Sequence, residues 1–230
     1  PNAGVRSLLP LSDGGWLAGG AFNQADRAAA PHIARWDGSR WLPLSEGLGA
    51  VRGLVAMPGG GVVVGGDFVT VHGVAAPHIA RWDGAQWWSL GGGVNGSVLA
   101  VAALPNGDVL AGGEFTEAGG VAARRVARWD GTTWSSLGQG LNLPVSRLFA
   151  VPDGRVVAVM SPTVGTGVNL LSVWNGSAWT GALPAPQGNV DCVAILPDGR
   201  FALGGLFVRG PNPDYLGCFA ILNGSTWSYY

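Results

Sequence analysis

Six residues stand where their types and spacing suit chemistry. Asp67 and Glu114 each follow a Gly-Gly doublet, Gly65-Gly66 and Gly112-Gly113, and so hold matched positions one sequence repeat apart. Acid/base hydrolysis of a glycosidic bond needs two carboxyl groups roughly 5–10 Å apart. No third acid joins this pair, and Ala21, Ser161 and Leu206 hold the same position elsewhere, so cation or sugar contact is the alternative chemistry. Arg6 and Arg52 each follow a repeat-opening valine and suit an anion or ligand contact. Trp88 and Trp16 are the two tryptophans that break the repeat. An indole exposed on a rigid sheet suits sugar stacking or protein contact, and Tyr215, Tyr229 and Tyr230 suit the same work. Two cysteines and three scattered histidines form no metal motif. No constellation specifies a reaction, so the expectation is a chain that is not an enzyme, with no cofactor and no metal.

These residues sit on a unit that recurs five times. The opening valines are Val5, Val51, Val98, Val145 and Val190, with spacings of 46, 47, 47 and 45 residues. Such a period means stacked supersecondary units. In the second copy, Val51 to Met57 is a short apolar run fit for a strand buried on both faces. Pro58-Gly59-Gly60 is a turn, matched by Ser12-Asp13-Gly14, Pro105-Asn106-Gly107, Pro152-Asp153-Gly154 and Pro197-Asp198-Gly199. Asp-Gly and Asn-Gly supply the positive φ that tight hairpins demand. Gly61 to Phe68 is the second strand, Val69 to Ala76 a longer loop, Pro77 to Trp82 the third strand and Trp87 to Leu90 the fourth. Four antiparallel strands in about 46 residues, five times over, is the arithmetic of an all-β, five-bladed β-propeller. Residues 1–230 then form a single domain with blades at approximately 1–47, 48–94, 95–141, 142–187 and 188–230.

Trp36 and Trp41 flank Asp37-Gly38-Ser39-Arg40, and the pair recurs as Trp82/Trp87, Trp129/Trp134 and Trp174/Trp179, with Leu222/Trp227 in the fifth copy. Turn tips at Gly38-Ser39 and its equivalents place the two rings opposite each other. The glycine doublets mark close approach of something large. The expectation is that indoles of one blade fill the hollow over the glycines of the next. First strands line a propeller's channel, so Arg6, Arg52, Leu99, Ser146 and Asp191 would ring one mouth, with Asp191 near Arg6. Cys192 and Cys218 are one strand apart, too far for a disulfide, and are expected as buried free thiols. His32, His78, Arg125, Leu170 and Cys218 share a third-strand slot expected to be a partly buried packing position. Asn-Gly-Ser at Asn95, Asn175 and Asn223 is explained by turn chemistry.

The order Gly65-Gly66-Asp67-Phe68, then Ile79-Ala80-Arg81-Trp82-Asp83-Gly84, Trp87 and Leu90-Gly91-Gly92-Gly93 resembles WD-repeat and kelch-like propellers. It is similar to the tandem units of the cortical cell-polarity marker family and of secreted repeat proteins from GC-rich bacteria. The fourth copy departs with Val159-Met160-Ser161 and Val173-Trp174-Asn175-Gly176, and the fifth with Ile221-Leu222-Asn223-Gly224. The resemblance implies a propeller scaffold with surface display and no catalytic residue to carry over. In unit count and length the chain also resembles the tachylectin architecture.

Composition narrows the partners. Charged residues make up 12%, the formal net charge is −1, and all thirteen basic residues are arginine. Such a balance argues against a nucleic-acid footprint. No apolar run reaches the 18 or so residues of a membrane span. The chain opens at Pro1 and reads as a portion of something longer. The expectation is an extracellular or cell-surface binding or scaffold propeller whose loop faces take a protein or glycan ligand. The alternatives are a carbohydrate-binding lectin and a structural repeat segment of a larger surface protein.

Overall fold

The computed structural model describes residues 3–45, 48–160, 170–180, 183–184, 188–208, 216–223 and 226–230. Among these residues every regular element is a strand. They form five four-stranded antiparallel sheets and three two-stranded ribbons. Sheet 1 holds Val5–Pro10, Trp16–Gly20, Ile33–Trp36 and Trp41–Pro43. Sheet 2 holds Val51–Ala56, Val62–Gly66, Ile79–Trp82 and Trp87–Ser89. Sheet 3 holds Val98–Ala103, Val109–Gly113, Val126–Trp129 and Trp134–Ser136. Sheet 4 holds Val145–Ala150, Val156–Met160, Leu170–Trp174 and Leu183–Pro184. Sheet 5 holds Gly188–Ile195, Phe201–Val208, Leu216–Asn223 and Thr226–Tyr229. In each sheet the strands lie side by side in chain order, so each is one continuous stretch. Sheets 1 to 3 belong to one compact unit, Pro1–Asn142, and sheets 4 and 5 to a second, Leu143–Tyr230.

Three local devices repeat. The first turn of every sheet closes with the same backbone bonds, as in Met57 N to Gly61 O at 3.0 Å and Gly60 N to Met57 O at 2.9 Å. Its glycine has a φ of 84–92° in all five copies, a region costly for any residue with a Cβ. The second turn begins with an Asp or Asn whose side chain accepts backbone N–H groups two and three residues on. Asp37 takes Ser39 and Arg40, and Asn175 takes Ser177 and Ala178. Turn chemistry therefore accounts for the Asn175 sequon. This turn sets Trp36 opposite Trp41, Trp82 opposite Trp87 and Trp129 opposite Trp134.

The third device is a bulge. After the opening valine the register slips by one residue in all five sheets, so Val51 faces Gly66, Gly53 faces Gly65, and Arg52 is left over. A bulged residue has no cross-strand partner to select it. That explains why Arg6, Arg52, Leu99, Ser146 and Asp191 share no chemistry. The residue after the bulge in sheet 5 is Cys192, which is a free thiol but exposed. Its expected burial therefore fails, although Ala100 at the same position of sheet 3 is buried. The side chain of Cys218 and all of Tyr215 lie outside the described residues.

The expected long loop is partly structured. Gln24–Ala25 pairs with Ala28–Ala29, Thr70–Val71 with Val74–Ala75, and Glu117–Ala118 with Val121–Ala122. Each ribbon turns on two positive-φ residues, Asp26-Arg27, His72-Gly73 and Gly119-Gly120, the signature of a type I′ hairpin. Beneath the ribbons Phe22, Phe68 and Phe115 are buried, which gives the phenylalanine of the Gly-Gly-x-Phe pattern its role.

Candidate functional site

Packing between sheets 1 and 2 leaves a gap open enough to hold a ligand. In the first unit the opening strands of neighbouring sheets are in direct contact. A Cβ added at Gly19 would stand 2.5 Å from Val51 Cγ1 and 3.3 Å from Leu54 Cδ1; one at Gly65 would collide with Val98 and stand 3.0 Å from Val101. The glycine hollow thus receives the branched aliphatic side chains of the next sheet's opening strand, where an indole was expected. A missing Cβ makes room for a methyl, not for a bicyclic ring. The indoles sit further out, where they reach the segment after the preceding sheet. Trp134 Nε1 donates to Leu90 O at 2.8 Å and Trp87 Nε1 to Leu44 O at 3.4 Å. Trp129 and Trp134 both cover Gly91. Trp87 and Trp134 are buried, while their cross-strand partners Trp82 and Trp129 remain half-buried.

Between sheets 1 and 2 this outer filling is incomplete. A cleft of about 720 Å³ runs between Leu11, Arg35, Leu42 and Leu44 on one wall and Met57, Pro58, Trp82 and Asp83 on the other. A second hollow, about 660 Å³, lies on the same half-buried indole and is bounded by Leu44, His72, Val74, Gln86 and Trp87. The first is lined mainly by apolar side chains with a few polar groups, the make-up of a binding pocket. Asp13 and Arg35 form an ion pair of 2.6 Å on its wall. The Gly15 N–H and the Arg35 guanidinium hold the Asp13 carboxyl below its ordinary value. Arg35 Nε is buried without a hydrogen-bond partner. At the far wall, Asp83 is held down to about 2 by the Gln86 N–H, the Trp88 indole N–H and the Ala85 N–H.

The six residues singled out by sequence do not gather in one place. Arg52 and Asp67 do meet: Arg52 Nε donates to Asp67 Oδ2 at 2.7 Å, and both side chains are about one-third exposed. The bulge projects Arg52 across to the residue after the doublet, and it neutralises the acid there. Glu114, the matched acid, is exposed, and its backbone oxygen takes the Arg125 guanidinium. Arg6 is exposed. Asp191 forms an ion pair with Arg147 at 3.5 Å. Trp88 and Trp16 are 50% and 40% exposed, and no other tryptophan among the described residues is classed with the exposed large side chains. Trp16 faces Pro10 on one side and Trp36 on the other. Among the described residues no three His, Cys, Asp or Glu side chains are placed to hold a metal ion.

Sequence reasoning missed the Asp13–Arg35 pair and the half-buried wall of Trp82; the shared third-strand slot is partly buried at His32, His78 and Arg125, as expected, but it is also a backbone corner. His32, His78 and Arg125 take left-handed φ values of 64°, 63° and 68°. At this corner the slot N–H donates to the carbonyl of Phe22, Phe68 or Phe115.

No protein-family model matches this chain, and no curated protein matches it. Solved structures do. YCF48 bound to D1 peptide aligns over 98% of this chain and 68% of its own, with 18% identity and a TM-score of 0.60. A protein of unknown function from Dyadobacter fermentans aligns over 94% of this chain and 78% of its own, with 16% identity and a TM-score of 0.51. The fold is that of an all-β, propeller-like repeat protein. The extracellular domain of BT4673 from B. thetaiotaomicron aligns at a TM-score of 0.46 and 12% identity, and this chain spans 36% of its length.

Proposed function

We propose that residues 1–230 form a five-bladed β-propeller, one four-stranded sheet per blade, related to the WD- and kelch-like repeats. It acts outside the cell or at its surface as a non-enzymatic module that binds a protein ligand. The carrying observation is the cleft between sheets 1 and 2. The glycine-valine locks close the inner part of that interface, and Trp82, Met57, Pro58 and Leu42 leave its outer part open. An extended peptide segment suits such a groove: apolar walls take its side chains, and the Asp13–Arg35 pair offers one polar anchor. A structural neighbour was solved with a peptide bound, which supports the reading by likeness of fold.

The test is a phage-displayed library of twelve-residue peptides panned on the chain, with selected peptides measured by intrinsic tryptophan fluorescence. Binding should weaken at least tenfold in Leu42→Arg, which fills and charges the groove. Peptides that bind Leu42→Arg as well as the parent chain contradict the assignment. A second reading, a carbohydrate-binding lectin, is favoured by the exposed indole of Trp88.

A further inference from the structure

Sheet 2 departs from its neighbours at two adjacent positions, and together these define a second site. The third strands of sheets 1 to 3 carry Arg35, Arg81 and Arg128 at equivalent places. Arg35 is paired with Asp13 at 2.6 Å, and Arg128 with Asp108. The corresponding turn of sheet 2 is Pro58-Gly59-Gly60-Gly61 and contains no acid. Arg81 is exposed; its guanidinium reaches the Gly60 carbonyl at 3.4 Å and makes no ion pair among the described residues. Directly across the ladder from Arg81 stands Trp88. The equivalent positions hold Leu42, Ser135, Thr180 and Ser228.

Directly opposed residues of an antiparallel pair project from one face with Cβ atoms about 5 Å apart. The indole is half exposed yet fixed, because Nε1 donates to Asp83 Oδ2 at 2.6 Å. Asp83 is itself held through Oδ1 by the N–H groups of Ala85 and Gln86, at 2.9 and 2.8 Å. No Cβ-sized obstacle stands over Gly59 or Gly60. The result is a pinned aromatic plate across the ladder from a guanidinium that makes no ion pair among the described residues, with Asp83 close enough to feel its charge.

We propose that this edge of sheet 2 binds an acidic saccharide, with a uronate ring stacked on Trp88 and its carboxylate on Arg81. An aldose ring offers an apolar C–H face to an indole, and a planar guanidinium takes a carboxylate through two parallel N–H···O bonds. A neutral sugar would use the indole alone, and a simple carboxylate the arginine alone. Asp83 opposes an anion, but its acceptor oxygens are already committed to three donors. This inference rests on the lectin reading; the site shares Asp83 with the wall of the peptide cleft, while neither Trp88 nor Arg81 lines that cleft.

Isothermal titration with tetragalacturonic acid, cellotetraose and a hexapeptide bearing a free C-terminal carboxylate tests it. The uronate tetramer should bind at least tenfold more tightly than the neutral one. Its affinity should fall at least tenfold in Trp88→Ala and in Arg81→Gln, and should decline with added salt. Trp88→Phe keeps a ring and should retain part of the affinity; unchanged melting curves exclude misfolding. Equal binding of both tetramers, with Arg81→Gln silent, overturns the acidic class while leaving a lectin. Uptake of the hexapeptide in place of either sugar, or no saccharide binding at all, overturns the proposal and leaves the cleft untouched.

Discussion

The two compact units share one backbone plan and distribute their charges differently. In sheets 1 and 3 an arginine of the third strand reaches an acid in the first turn, Arg35 to Asp13 and Arg128 to Asp108, more than nineteen residues away in sequence. In sheets 4 and 5 the arginine has moved into the turn. Arg155 pairs with Asp153 at 2.7 Å and Arg200 with Asp198 at 2.7 Å, two residues apart. The third-strand position is then apolar, Val173 or Ile221. Both arrangements satisfy the same turn. The first ties strands together through the acid; in the second the pair lies within the turn and the arginines reach out separately, Arg155 over the Phe201 ring and Arg200 to Asn223, while Val173 joins Val157, Val159 and Leu203 in the packed face. The bulge and the two turns are fixed by backbone bonding, and side-chain rows drift around them. Binding chemistry is expected where a row departs from its neighbours, as at Trp88 and Arg81.

The glycine lock offers the largest test of that contrast. Gly65→Val pushes a side chain into Val98 and Val101 and should cost about 3 kcal/mol in urea unfolding of the first unit's transition. The equivalent residue of sheet 4 is already Val159, buried in its own cluster. Val159→Ala should therefore cost about 1–2 kcal/mol as a cavity, opposite in cause. A valine tolerated at Gly65, or an alanine costing nothing at Val159, would break the comparison.

The long-range and local ion pairs should also separate. Asp108 is 8% exposed and is bonded by Asn106 and Arg128, so Asp108→Ala should destabilise by about 2 kcal/mol. Asp153→Ala, at an exposed turn, should give no measurable change in midpoint. Next in size is the buried indole bond of Trp134. Trp134→Phe removes the donor to Leu90 O and should cost about 1 kcal/mol, more than Trp87→Phe with its longer 3.4 Å bond.

Acid should act through the turns, with the smallest effect per site. Asp37 and Asp83 are held at about 2 by the N–H groups they accept. A depressed folded value stabilises above the ordinary carboxylate range near 3.8 and is lost as pH falls toward 2. Melting temperatures should therefore drop between pH 4 and pH 2. Asp37→Asn keeps the turn, as Asn175 does in sheet 4, and should flatten that slope. An unchanged slope would detach the turns from acid stability.

Much of this was readable in the chain itself. The valine period, the Asp-Gly turns and the Trp-Asp-Gly-x-x-Trp spacing gave strands, hairpins and cross-strand indoles, because each is dictated within a few residues. The bulge was not readable. It follows from how the opening strand meets the doublet, and its residue varies because nothing pairs with it. The ribbons went unseen because their strands are two residues long and their I′ turns use Asp26-Arg27 and His72-Gly73 as well as Gly-Gly. The cleft was hidden for a different reason: it depends on which side chain of sheet 1 faces which of sheet 2. Arg81 was legible in principle, since aligning the repeats shows its turn lacking the acid present at Asp13 and Asp108.

Indole N–H resonances offer the most direct measurement of ligand engagement between sheets 1 and 2. The chain has eleven tryptophans, each with its own Nε1 signal in a ¹⁵N-labelled sample. Titration with a library-selected peptide should shift Trp82 and Trp87, which border the two hollows, and leave Trp179 and Trp227 of the second unit in place. Shifts confined to the second unit, or none as peptide saturates the chain, would contradict the account.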